Sequence, residues 1–132
     1  MNITISQEMG KIPVTVFRLE GDINMESAPQ IEEQARQAHA AGMRNMVIDL
    51  TDVAYMSSAG IRLLNGLFNM LRTDTPAERP EAMHQGMLAG TFKSPHLKLV
   101  NPTKRVMEVL KMAGLDMFLE IHRNVKDAVA SF

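Results

Sequence analysis

Residues 47–71 read VIDLTDVAYMSSAGIRLLNGLFNML, and three patterns succeed one another within them. Val47, Ile48 and Leu50, with Met46 before them, form an apolar, β-branched run broken only by Asp49, as expected of a strand covered on both faces. From Ile61 onward the apolar residues Ile61, Leu64, Leu67, Phe68 and Leu71 recur at helical spacing, while Arg62, Asn65, Asn69 and Arg72 take the other side. Between strand and helix lies Tyr55-Met56-Ser57-Ser58-Ala59-Gly60, which puts small hydroxyl residues where a helix start leaves backbone N–H groups without partners. Asp49 and this turn are expected at the carboxyl end of a central strand, where partners and ligands meet open α/β sheets.

Upstream, Ile3 and Ile5 alternate with polar residues, and a second alternation follows Gly10-Lys11 through Ile12, Val14 and Val16 with Phe17 and Leu19. Two strands joined by a turn result. Gly21-Asp22 leads into a helix with Pro29 in its first turn, Asn24 or Ser27 as cap, Ala28, Ile31, Ala35 and Ala38 on one face, and Gly42 as its end. Downstream, Thr73 to Pro95 carries three prolines and two glycines with no sustained period, and reads as an inserted loop. A short helix around Glu81 to Leu88 fits within it, and Met83, Met87, Leu88 and Phe92 are candidates for a partner or oligomer contact. Shortening the loop is expected to leave the fold intact. Leu97, Leu99 and Val100 then form a strand, Asn101-Pro102 reads as a cap followed by proline at the first helical position, and a helix runs through Val106, Val109, Leu110 and Ala113 to Gly114. Leu115, Phe118, Leu119 and Ile121 supply the last strand, and Asn124 with Asp127 caps a terminal helix. The alternation of strands and helices predicts a mixed, mainly parallel sheet covered by helices.

Composition narrows the chemistry. With 132 residues, the chain is large enough for one domain with a core that needs no staple. It has no cysteine, which excludes thiol catalysis, disulfides and cysteine-held metals. Fourteen Lys and Arg balance fifteen Asp and Glu, so net charge favours neither nucleic acid nor an anionic membrane. No apolar run approaches a bilayer's thickness, and a soluble, unexported protein is expected. Ser57 and Ser58 lack the flanking glycines of a hydrolase elbow, and His39, His84, His96 and His122 are scattered with no arrangement that marks a general base. His84 and His96 with Asp74 or Glu81 match no metal-ligand spacing.

The run containing Asp49-Leu50, Met56-Ser57-Ser58-Ala59-Gly60 and Leu63-Leu64 resembles the signature of STAS domains, best known from bacterial anti-sigma-factor antagonists. The resemblance extends to Leu19-Glu20-Gly21-Asp22-Ile23 with Ser27-Ala28 upstream, and to Leu99-Val100-Asn101-Pro102, Leu110 and Gly114-Leu115 downstream. It implies an α/β fold, a single STAS-like domain over residues 1–132 with about five strands in a mixed, mainly parallel sheet and about four flanking helices. The segment 73–95 would be longer than the connection usual there. The resemblance further implies that Ser58 is phosphorylated by a partner kinase. Asp22, Asn24, Met56, Ser57, Ser58, Ala59, Gly60 and Arg62 would then form the switch surface. Asn24 and Ser57 stand where many antagonists carry aspartates. The implied partners are an anti-sigma factor of the serine-kinase type and a serine phosphatase that resets the switch, in the cytoplasm, with no enzymatic activity, cofactor, nucleic acid or membrane insertion; an oligomer is compatible with it. Two alternatives share these residues: an unphosphorylated STAS subunit of a signalling scaffold or membrane transporter, and a module that takes a nucleotide or other anion at the helix N-terminus.

Overall fold

The computed structural model describes residues 1–73 and 75–132. Five strands form one sheet in the order β1 (Asn2–Met9), β2 (Pro13–Glu20), β3 (Met46–Asp52), β4 (Leu97–Val100), β5 (Glu120–His122). β1 pairs antiparallel with β2, and every later pairing is parallel, so the sheet is mixed and mostly parallel with β3 at its centre. Five helices are described: α1 (Ala28–Ala40), α2 (Ser58–Leu71), α3 (Pro80–Ala89), α4 (Lys104–Met112) and α5 (Val125–Ala130). Among the described residues none is long and apolar enough to cross a membrane.

The two faces of the sheet are covered unequally. Phe17, Leu19, Met46, Ile48, Leu50, Leu97 and Leu99 pack with Ile31 and Ala35 of α1, Leu63, Leu64, Leu67 and Phe68 of α2, and Val106 and Leu110 of α4. On the other face Val14, Val16, Val47 and Val100 meet Ala128 and Val129 of α5, with the partly buried Val125 and Phe132 packed beside them. Period-2 alternation along each strand produces this division, because successive side chains point to opposite faces. Lys98 belongs to the α5 side and is buried; its Nζ donates to Ser131 O at 3.0 Å and Oγ at 2.9 Å, lies 3.4 Å from Glu120 Oε2, and sits 4.4 Å from the Phe132 ring centroid. A buried ammonium is tolerable only with such partners.

The segment 73–95 is more than a loop. A 3₁₀ turn at Pro76–Glu78 precedes α3, which closes at Gly90 in the left-handed conformation. Met83 is buried in the main core, Met87 and Phe92 pack against it, and only Leu88 of the four candidate contact residues points out, 77% exposed. Phe92 and Phe118 both meet Phe68 edge-on, with centroids 6.1 and 5.0 Å away. Three of the four candidate contact residues therefore serve the fold. The buried Glu78 carboxylate accepts from Thr73 Oγ1, from Thr75 Oγ1 at 2.8 Å and from His96 Nε2 at 3.0 Å, and His96 Nδ1 lies 3.1 Å from Asn45 Oδ1. Burial acts to raise the Glu78 pKa, but the hydrogen bonds from Thr73, Thr75 and His96 and the His96 charge together outweigh it, so the carboxyl is held below its ordinary value. The basis for shortening the segment freely, that it carries nothing of the core, does not hold.

Two local expectations change as well. Thr103, not Asn101, caps α4: its Oγ1 accepts from Val106 N at 3.2 Å. Asn101 instead sits at φ 47° with Nδ2 donating to Thr51 Oγ1, which leaves Pro102 in the turn before the helix. Leu115 lies in a 3₁₀ turn, Leu115–Met117, and β5 is only three residues long.

Candidate functional site

The turn between β3 and α2 lies beyond the carboxyl end of the central strand, as expected. Asp49, earlier on β3, is committed locally: its Oδ1 accepts from Thr51 N at 3.0 Å and Thr51 Oγ1 at 2.6 Å. Met56 forms an isolated parallel bridge with Ile23. Ile23 N donates to Tyr55 O and Ser57 N donates to Ile23 O, each at 2.9 Å. The loop after β2 and the loop after β3 are thereby joined into one rim.

Ser57 is the cap of α2. Its extended backbone, φ −89° and ψ −179°, lets Oγ accept from Ala59 N at 3.2 Å. Ser58 follows as the first helical residue; it is exposed, and its hydroxyl bonds no other group among the described residues. Ala59 and Gly60 turn inward. A Cβ on Gly60 would overlap Met56 Cγ and come within 3.1 Å of Ile23 Cγ2, so glycine here permits a close approach of the buried Met56 to the first turn. Arg62 is exposed one turn beyond Ser58, at the i,i+4 spacing that brings side chains together on a helix.

On the other loop, Asn24 has a structural role. Its Oδ1 accepts from Glu26 N at 2.9 Å and Ser27 N at 3.1 Å, and its own N–H donates to Ser27 Oγ at 3.0 Å. This reciprocal arrangement is a capping box, with Asn24 rather than Ser27 satisfying the start of α1. The Ser27 hydroxyl donates to the Asp22 carbonyl at 2.7 Å, while the Asp22 residue stays exposed.

Between α1 and α2 runs a groove of about 290 Å³, lined by Met25, Ala28, Pro29, Glu32, Ala59, Arg62, Leu63 and Gly66. Met25, at its lip, is 78% exposed. On the α4 side Tyr55 is exposed, with the Arg105 guanidinium 5.0 Å from its ring centroid. The structure thus brings Met56, Ser57, Ser58, Ala59, Gly60 and Arg62 together and, through the Ile23 bridge, sets Asp22 and Asn24 in the adjoining loop. Met25 and Arg105 join the rim without being singled out in the sequence, and Tyr55 is quoted there with the turn but not among the switch residues. Tyr55 is the chain's one tyrosine and directly precedes the motif, a signal that was legible; Arg105 reaches the rim only through the sheet order.

Of the residues considered for a metal, His84 and Glu81 are exposed on α3, His96 is engaged with Glu78 and Asn45, and Asp74 lies outside the described residues. Among the described residues no three His, Asp or Glu side chains gather as ligands.

A family model described as the STAS domain matches residues 5–75, more than half of the chain and all of the turn just described. The chain belongs to the STAS domain family. Solved structures with the same STAS fold include an anti-sigma factor antagonist from Mycobacterium paratuberculosis, 22% identical, TM-score 0.67, the match covering 98% of this chain and 93% of that one. The Bacillus cell fate determinant SpoIIAA in its phosphorylated form is 19% identical, TM-score 0.60, with 96% of each chain covered. A STAS-domain antagonist protein from Planctomyces limnophilus is 19% identical, TM-score 0.64, covering 96% of this chain and 93% of that one. At such identities the likeness is one of fold. No curated protein matches the chain by sequence.

Proposed function

We propose that the protein is an anti-sigma-factor antagonist, acting as one STAS unit across residues 1–132 in the cytoplasm. It binds an anti-sigma factor of the serine-kinase type and is switched off by phosphorylation of Ser58, then reset by a serine phosphatase. The observation that carries this reading is the division of labour between neighbouring serines: Ser57 is used up in capping α2, whereas Ser58 presents an uncommitted hydroxyl at an exposed helix start. The antagonists with this fold support the kind of function, and SpoIIAA has been solved in a phosphorylated form. The protein contributes a binding surface and a phosphate acceptor, with no catalytic group of its own.

A phosphate on Ser58 fits the helix it would modify. It adds roughly −1.5 to −2 charge, and an anion at a helix N-terminus gains roughly 0.3–1 kcal/mol. Arg62 stands one turn away on the same face. The domain therefore stays folded, while a partner that contacted the unmodified turn must now desolvate a dianion. Asn24 stands where many antagonists carry an aspartate near the serine, so a kinase is expected to modify Ser58 slowly. Incubation of wild type and Ser58→Ala with ATP and the serine-kinase anti-sigma factors of the source organism tests the reading. Intact mass should rise by one phosphate on wild type alone, and the modified protein should lose the kinase in a pull-down. A protein that no such kinase binds and modifies at Ser58 is not this switch.

A further inference from the structure

The two edges of the sheet are protected very differently. β5 is three residues long, and its Glu120 and His122 are paired with each other at 2.9 Å. β1 is eight residues long and pairs with β2 without a bulge from Asn2 opposite Glu20 to Met9 opposite Pro13. Its far edge carries none of the devices that usually prevent strand addition: no proline, no interruption, and only Glu8 as a charge. Seven of its eight residues are exposed, and Ile5, near its middle, is 39% exposed.

The flank of α1 beside this edge is equally suggestive. Gln30, Glu33, Gln34 and Gln37 face Met1, Asn2 and Ile3 across a trough of about 520 Å³. Three of these four helix residues are neutral amides, which both donate and accept hydrogen bonds and so can meet their own copies without a clash of sign.

We propose that β1 is a self-association surface, on which a second copy of this chain adds its own β1 antiparallel about a two-fold axis at Ile5, joining two five-stranded sheets into one. Residues opposite each other in a continuous sheet must share a face, and pairing about Ile5 meets this condition along the strand. Thr4 then faces Ser6, Ile3 faces Gln7, and Glu8 faces Asn2 of the partner rather than the partner's Glu8. Exposed Ile5 is covered by its own copy. At about 3.4 Å per residue the strand is roughly 27 Å long, and with one adjoining helix layer about 10 Å away the contact covers on the order of 500–600 Å² per copy. The total lies near the lower limit of roughly 1,000–1,200 Å² for specific interfaces, so the dimer is expected to be a reversible one. The pairing leaves the rim around Ser58 free, since that rim lies beyond the carboxyl end of β3.

Sedimentation velocity over a concentration series is the first test: wild type should pass from monomer to dimer as concentration rises, and Ile5→Lys should remain monomeric with an unchanged circular dichroism spectrum. The absence of native cysteine allows a second test that does not depend on tolerating lysine. Directly opposed residues in antiparallel strands have Cα atoms about 4.5–5.5 Å apart, within disulfide range. Ile5→Cys should therefore give a covalent dimer under mild oxidation, well above the level reached by Leu88→Cys, an exposed control on α3. A wild type that stays monomeric throughout the series, an Ile5→Lys protein that still dimerises, or an Ile5→Cys protein that cross-links no better than the control overturns the proposal.

Discussion

At the amino end of the sheet Thr73, Thr75 and His96 all turn toward Glu78, whereas at the carboxyl end Ser57 caps α2 and Ser58 beside it bonds nothing among the described residues. The residue types are similar and their use is opposite. A hydroxyl that satisfies a buried acceptor is part of the fold, and removing it or its partner is felt as stability. A hydroxyl with no internal duty can change chemically without unfolding anything. Position in the sheet separates the two: the Glu78 cluster fastens the segment before α3 to the starts of β3 and β4, and Ser58 stands where a partner can reach.

The largest expected effect that sharpens this contrast is at Glu78. Glu78→Ala strands three donors around a buried site and should lower unfolding stability by about 2 kcal/mol or more in denaturant titration. The same carboxyl predicts an acid limb. Its pKa is lower in the folded protein than the ordinary 4.5, so its contribution is fully present above about pH 4.5 and is lost as pH falls through the folded value. Protons bind the unfolded chain first in that window. Thermal melts between pH 3 and 6, on the order of that range, should show a shallower acid decline for Glu78→Gln than for wild type, and equal slopes would remove Glu78 from the account.

Next comes Gly60. In Gly60→Ala the overlap with Met56 should outweigh the roughly 1 kcal/mol that alanine gains in a helix, leaving a net loss of about 1–2 kcal/mol and weaker partner binding through a displaced first turn. Ser57→Ala should cost about 1 kcal/mol, the usual value of a lost cap. Ser58→Ala should alter stability by no more than about 0.5 kcal/mol while abolishing the phosphate acceptor. If Ser58→Ala were instead as destabilising as Ser57→Ala, the contrast between committed and free hydroxyls would collapse.

Much of this was legible in the chain itself. Alternation marks β1 and β2, apolar runs mark β3 and β4, and the last strand reads as starting at Leu115 although β5 covers only Glu120–His122; the strand–turn–helix unit around Ser57 and Ser58 locates the candidate site. Nothing local marks Lys98 for burial: it stands between Leu97 and Leu99, and only the tertiary arrangement of Ser131, Glu120 and Phe132 explains why it is covered. Segment 73–95 reads as a loop with room for a short helix because its apolar residues are too few for a clear period, and α3 fills that place. Its anchoring depends on a polar contact, Glu78 to His96, that spans 18 residues and leaves no local pattern. Asn24 belongs to the switch surface that the resemblance implies, and its hydrogen bonds to Glu26 and Ser27 give it the capping task that its place ahead of Pro29 also suggests.

The parallel bridge between Ile23 and Met56 has a consequence for the kinetics of encounter. Two loops whose backbones are hydrogen-bonded to each other before any partner arrives need not be ordered at the moment of contact, which removes the loop-ordering part of the entropy cost of association. A rim of this kind docks nearly as a rigid body, so association should run at the ordinary rate for rigid surfaces, and a phosphate on Ser58 would act chiefly by shortening the lifetime of the complex rather than by slowing its formation.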